Sequence, residues 1–365
     1  MKLELFNYDL PEEYIAQKPL SKRDESKLLI FDRKSGNITH DVFLNLSDYI
    51  DSEDILIINE SKVTKCRLSG KKEGTGAKIE CFVLNKVREK IASDAKHITN
   101  DRIKGRARNK DKGDTKNNRY IVLIRPSKRL KPSDRVFIGK YYFVVKSKLD
   151  YGRTVVEFSI SPEVLFKKYG RMPIPPYIKN DDINESYYQT IYAKKEGSSA
   201  SPTAGLHFTA GLMNKLIAKG VKFAKVRLDI GLDTFRPVRE EEIEKHKMHS
   251  EYYHISKSEA EKINKVRESG GRVIAVGTTT VRVLESVITK HGRLKEDDGL
   301  TDLFIYPGYK FKVVDSIITN FHLPKSSLII MVSAFAGREK ILHVYEEAKS
   351  NGYRFYSFGD CMLIK

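Results

Sequence analysis

The residues best suited to chemistry in this chain gather in a few short tracts, and the densest runs Ser201-Pro202-Thr203-Ala204-Gly205-Leu206-His207-Phe208-Thr209. It crowds hydroxyls and one imidazole immediately before a readable helix start. Thr209 is the N-cap, Leu212, Met213, Leu216 and Ile217 supply the apolar face, and Gly220 is the stop. His207 thus stands at a helix mouth, where backbone N–H groups favour an anionic group and an imidazole can accept, donate or move a proton. The bland alternative is a capped, partly buried His-Phe pair.

A second tract, Arg272 to Ser286, reads as an apolar strand, the turn Gly277-Thr278-Thr279-Thr280 and an amphipathic helix carrying Arg282. In α/β proteins the crevice at the carboxyl end of such a strand is where a phosphate, carboxylate or ribose binds. The turn lacks both the lysine and spacing of a Walker loop and the GxGxxG pattern, and its threonines can equally cap the helix. His246, His249 and Glu251 lie close together in sequence, and Asn320 and His322 precede Pro324. An i, i+3 pair of histidines without HExxH argues against zinc, so no metal is expected and acid–base work or ligand orientation is the better use. Aromatics alternate from Tyr353 to Phe358 ahead of Gly359-Asp360; a final core strand suits Phe355 but not Asp360.

These tracts need a scaffold, and 365 residues with 40% hydrophobic content suffice for about two domains. Apolar runs at 28–31, 38–43 and 55–58 read as strands. Short alternating strands then follow at 77–84, 120–124, 135–138, 141–145 and 154–158. Helix patterns are scarce across that stretch and alternate with strands after it, for example a capping box at Ser256 and Glu259. The expected fold is therefore a mixed α/β main domain, residues 1–62 and 159–365, with an antiparallel β-barrel inserted at 63–158. A polar, basic segment over 86–119 is expected as a mobile loop within the barrel, either an arm for RNA or a solvated excursion.

The formal charge is +18, which points to a polyanionic partner such as nucleic acid, and plentiful Tyr and Phe could stack on bases. Lysine-rich codon usage is the plain alternative. Three widely spaced cysteines suggest neither a disulfide framework nor a cysteine zinc site. No stretch approaches the roughly 20 apolar residues of a membrane span, and the N-terminus carries no signal-peptide core, so a cytoplasmic location is expected.

Seven motifs in order, MPIPPYI from Met172, YQTIYA from Tyr188, SPTAGLHFT, MHSE, VGTTTVRVLES, TNFHLPKSSL from Thr319 and YRFYSFGDCMLI, resemble the S-adenosylmethionine:tRNA ribosyltransferase-isomerases of queuosine biosynthesis. The resemblance runs from NYDLPEEYIAQ at Asn7 to the last residues. It implies that the ribosyl part of S-adenosylmethionine goes to 7-aminomethyl-7-deazaguanine at the wobble position of a tRNA with a GUN anticodon, giving epoxyqueuosine, adenine and methionine. Such a route needs a base beside the sulfonium and a donor for adenine. By motif position, His207, His322, Glu251 and Asp360 are the catalytic candidates. Thr278, Thr279, Arg282, Thr203 and Gly205 are candidates for the cofactor, and Tyr188, Gln189, Asn320 and His249 for the RNA substrate.

Three positions depart from the family pattern. Asp229 stands where the family usually has histidine, Asp233 where it has glycine, and Tyr187 where it has arginine. A carboxylate cannot replace a neutral imidazole donor. A noncatalytic tRNA-binding descendant is therefore one alternative. An S-adenosylmethionine-dependent RNA methyltransferase is another, although its glycine-rich strand-loop-helix is not visible.

Overall fold

The computed structural model describes residues 1–87, 118–149, 152–179, 183–231 and 238–365. They form two compact units, Met1–Val63 with Ile174–Lys365, and Thr64–Pro173.

The larger unit is built on a nine-stranded sheet, in the order Asp297–Thr301, Glu251–Ile255, Lys222–Leu228, Ile55–Asn59, Val273–Val276, Ser316–Asn320, Cys361–Ile364, Lys27–Phe31 and Ile38–Val42. Its middle is parallel, because Lys222–Leu228, Ile55–Asn59, Val273–Val276 and Ser316–Asn320 all run one way. Cys361–Ile364 runs against them and Lys27–Phe31 runs with it, so Asn320, Asp360 and Ser26 come to the same end of the sheet. Both faces are covered, which is why Ile55-Leu56-Ile57-Ile58 is a continuous apolar run. Ile55 and Ile57 face one core with Val281, Leu284 and Val287 of the helix Thr278–His291. Leu56 and Ile58 face the other, with Leu212 and Leu216 of Ala210–Ala218.

The helix caps read from sequence are made. Thr209 Oγ1 accepts the Leu212 N–H at 3.2 Å and Ser256 Oγ that of Glu259 at 3.4 Å. The aromatic run 353–358 differs from the expected strand: it is a winding segment with Tyr356 at φ 72°, and the strand begins only at Cys361. Phe355 is fully buried, as a core residue should be, but Asp360 is buried as well.

The smaller unit is a closed barrel of six antiparallel strands among the described residues, ordered Arg153–Phe158, Arg119–Arg125, Lys78–Lys86, Arg67–Lys72, Arg135–Ile138 and Tyr141–Lys148. Alternate residues such as Leu68, Ile79, Val122, Val136, Phe143 and Val156 fill it, as a small barrel requires. The helix Pro162–Tyr169 adds Leu165 to that core, so this compact unit extends past the last barrel strand. Most of the basic segment expected at 86–119 lies outside the described residues, as does Asp233.

Candidate active site

Four parallel strands ending side by side leave polar residues at their carboxyl ends, and here those ends carry Asn59, Asp229, Gly277 and Asn320. Asn59 ties them together. Its amide donates to the Leu228 carbonyl at 3.0 Å, and its Oδ1 accepts the N–H groups of Ser61 and Leu228 at 3.1 Å each. Gly277 turns the chain at φ 88°, a conformation that favours glycine, and thereby starts the helix Thr278–His291 at the crevice.

The crevice is a cleft of about 660 Å³, counting the space open to solvent, bordered by Ser201, Thr203, Gly277 to Thr279, Asn320, His322, Tyr177 and Tyr356. Among the described residues its lining holds no Lys, Arg, Asp or Glu. Two buried polar atoms in that lining have no protein partner: Ser201 Oγ and Asn320 Oδ1, on residues that are each 3% exposed. The orientation of Asn320 is fixed, because its Nδ2 donates to the carbonyl of Tyr356 at 3.1 Å and faces that of Asp360 at 3.4 Å. Its oxygen is therefore the group left over. Buried polar atoms are usually paired, so these two are available to a water or a ligand that reaches the cleft. Tyr177 stacks obliquely on Tyr356 at 4.8 Å between centroids and its hydroxyl meets Ser357 Oγ at 2.6 Å.

His207 lies behind this wall. Asn320 Nδ2 stands 3.2 Å from its Nε2 and Ser26 Oγ 2.8 Å from its Nδ1, so the amide donates to Nε2 and Nδ1–H donates to the serine. Burial pushes the imidazole down to about 4, against a partial pull upward from Asp360. His322 borders the cleft directly. Its Nε2 meets Thr319 Oγ1 at 2.9 Å, and burial drives it down to about 3. Both rings are neutral at physiological pH. The same burial makes each a weaker base than a free imidazole, so each serves first as a neutral hydrogen-bonding ring.

Glu251 and Arg282 form a buried ion pair behind the threonine turn. Gly231 N–H donates to Glu251 Oε1 at 2.7 Å and His249 Nε2 lies 3.3 Å from it, while Arg282 Nε donates to the Leu303 carbonyl at 3.1 Å and its Nη2 to that of Thr301 at 3.2 Å. Burial alone would raise the Glu251 carboxyl, but Arg282 and the hydrogen bonds overcome it and hold the group at about 2. Asp229 sits nearby, clamped by Arg227 through bonds of 2.9 and 2.6 Å. Burial and the neighbouring Glu251 raise its carboxyl despite that clamp. Asp360 is likewise engaged, accepting from Arg354 N–H and Nη2 at 2.8 Å each and from Lys27 N–H at 3.2 Å.

The structure thus brings Thr203, Thr278, Thr279, Asn320 and His322 to the cleft, with His207 one bond away, and puts Arg282, Glu251 and Asp360 in supporting ion pairs, with His249 beside Glu251. Gly205 faces Tyr192 instead, whose hydroxyl occupies the place a Cβ would take, so glycine is needed there for packing. Tyr188 is fully buried with its ring edge-on to Phe358 at 6.0 Å, which leaves no face for a base. Gln189 pairs through both amide atoms with the Val63 backbone, at 3.0 and 2.8 Å. Sequence reasoning passed over Ser201, Tyr177, Tyr356 and Ser357. Ser201 stood inside the first tract, and proline beside a hydroxyl was its only signal.

A sequence profile described as queuosine biosynthesis protein matches residues 3–364. Proteins named S-adenosylmethionine:tRNA ribosyltransferase-isomerase are similar over the whole of both chains, at 46% identity in Thermoanaerobacter sp. (strain X514), 45% in Acetivibrio thermocellus and 46% in Desulfitobacterium hafniense. A crystal structure of S-adenosylmethionine tRNA ribosyltransferase from Thermotoga maritima is 33% identical, covers 99% of this chain and 100% of its own, and superposes with a TM-score of 0.54.

Proposed function

The chain belongs to the queuosine biosynthesis protein family, and from that premise we propose that it moves the ribosyl part of S-adenosylmethionine onto 7-aminomethyl-7-deazaguanine at the wobble position of tRNAs with a GUN anticodon. Isomerisation of the transferred ribosyl gives epoxyqueuosine, and adenine and methionine leave. The work belongs in the cytoplasm. The net charge of +18 suits an RNA substrate.

The observation that carries the cofactor's seat is the cleft with unpartnered Asn320 Oδ1 and Ser201 Oγ. S-adenosylmethionine supplies an activated ribosyl group and a positive sulfur. A lining without Lys or Arg among the described residues, with Tyr177, Phe321 and Tyr356 nearby, tolerates such a cation, and the helix start at Gly277 to Thr279 offers N–H groups to a carboxylate. Asn320 Oδ1 can accept from an amino or hydroxyl group and Ser201 Oγ can donate or accept. His322, neutral and on the cleft, is the imidazole nearest the cofactor; His207 orients Asn320 from behind the wall and borders the second pocket itself. Arg282 and Glu251 act as positioning residues that hold the Gly231 turn and the threonine helix, not as cofactor contacts.

Mass analysis of the wild-type protein with S-adenosylmethionine and tRNA bearing the aminomethyl base tests the reading. Epoxyqueuosine in the digested tRNA, with free adenine and methionine, is expected. S-adenosylhomocysteine, or RNA binding without product, would overturn it.

A further inference from the structure

A second pocket opens on the other side of His207, bordered by Arg23, Arg354, Tyr187, Phe358, Ser26 and Leu20. Its character is opposite to that of the cleft. Two guanidinium groups line it and, among the described residues, no carboxylate does. Both are fixed in place: Arg23 donates to the carbonyls of Gln189 and Ser186 at 2.6 and 2.8 Å and lies 5.5 Å from the Tyr187 ring centre, and Arg354 is held by Asp360 at 2.8 Å. Ser357 borders both spaces, and the chain Asn320–His207–Ser26 runs from the wall of one to the wall of the other.

Two adjoining spaces of opposite electrostatic character, sharing a wall of proton-carrying side chains, fit two reactants of opposite charge. A sulfonium is repelled by the Arg23 guanidinium, whereas a phosphodiester is drawn to it and a planar base suits Tyr187 and Phe358. We propose that this pocket is the RNA subsite, receiving the target nucleobase with its flanking phosphate drawn to Arg23, whose guanidinium has no carboxylate partner among the described residues, whereas Arg354 is already held by Asp360. The assignment rests on the ribosyl-transfer reading, since it gives the two reactants separate seats on either side of His207. Tyr187, which stands where the family pattern has arginine, then serves as a stacking surface, with Arg23 across it supplying the charge.

The test measures two affinities on the full-length protein, for S-adenosylmethionine and for an anticodon stem-loop RNA carrying the aminomethyl base, the latter across a salt series. Arg23→Gln removes one cation. It should weaken RNA binding about tenfold and reduce the salt slope by about one, with S-adenosylmethionine affinity unchanged. Because Arg23 also braces the backbone at Ser186 and Gln189, Leu20→Glu provides a variant that deletes no contact of that kind and sets a carboxylate into the same pocket; it should weaken RNA binding by about as much. RNA affinity within twofold of wild type in both variants, or a parallel loss of S-adenosylmethionine affinity, would sink the proposal. Loss of RNA affinity in both variants alongside a wild type that forms no epoxyqueuosine would leave the subsite standing and remove the transfer reading instead.

Discussion

Two polar clusters, one of them only partly buried, sit at the same end of the same sheet, and they are built on opposite terms. In one, Glu251, Arg282, Asp229 and Arg227 are charged and answered by one another or by backbone groups. In the other, Asn320, Ser201, His207 and His322 are neutral, and two oxygens are left without a partner. A completed ion pair fixes neighbouring backbone but has little left to offer a ligand. An uncompleted neutral cluster pays a desolvation cost in the free protein that a ligand can remove. Availability of a polar atom, more than its formal charge, separates support from site.

The largest effect should come from breaking the completed cluster. Arg282→Met leaves the Glu251 carboxylate buried without its cation and is expected to cost about 3–5 kcal/mol in denaturant unfolding. Adding Glu251→Leu should recover much of that loss. A cost below about 1 kcal/mol for the single variant would mean that the pair does not organise its surroundings.

Acid should reach the neutral cluster first. His207 titrates near 6.5 when unfolded and about 4 when folded, so between those values the unfolded chain binds the extra proton and stability falls as pH falls. His322 adds the same sign down to about 3. Each ring steepens the loss by about 1.4 kcal/mol per pH unit within its window, and above 6.5 the effect vanishes. His207→Gln should flatten the slope of unfolding free energy between pH 6 and 4.5 by about one proton; an unaltered slope would show that the ring is not buried neutral.

The smallest effect on folding separates the clusters most sharply. Ser201→Ala deletes a hydroxyl that has no partner in the free protein, so stability should stay within about 0.5 kcal/mol of wild type. Calorimetric affinity for S-adenosylmethionine should nonetheless fall roughly tenfold, the worth of one hydrogen bond. A large loss of stability with unchanged affinity would reverse the roles given to the two clusters.

Much of the framework was legible in the sequence because it depends on local periodicity. The buried strand at Ile55, the barrel's alternating strands, and the caps at Thr209 and Ser256 follow from patterns a few residues long. What could not be read is what depends on distant partners. Tyr188 lies in a motif yet is fully buried, and motif membership carries no information about exposure. Gly205 is dictated by Tyr192 across the fold, and Asp360 by Arg354 and Lys27. Arg282 looked free for an anion because Glu251, its partner, arrives from a separate element, the strand Glu251–Ile255. The helix start at Gly277 was visible; the missing partner of Asn320 Oδ1 was not.

The order of strands also bears on how the protein is made. Among the described residues, the hairpin of Lys27–Phe31 and Ile38–Val42 joins the rest of the sheet only through Cys361–Ile364, more than 300 residues later. During synthesis that hairpin has no neighbour to pair with until nearly everything between has emerged. The nascent chain therefore carries an open strand edge at Lys27–Phe31, and another at Ser316–Asn320, beside the very residues that will wall the cleft. One short strand closes both edges. Its arrival pairs the strand edge that ends in Asn320, so the wall of the cleft gains its last sheet neighbour late in synthesis.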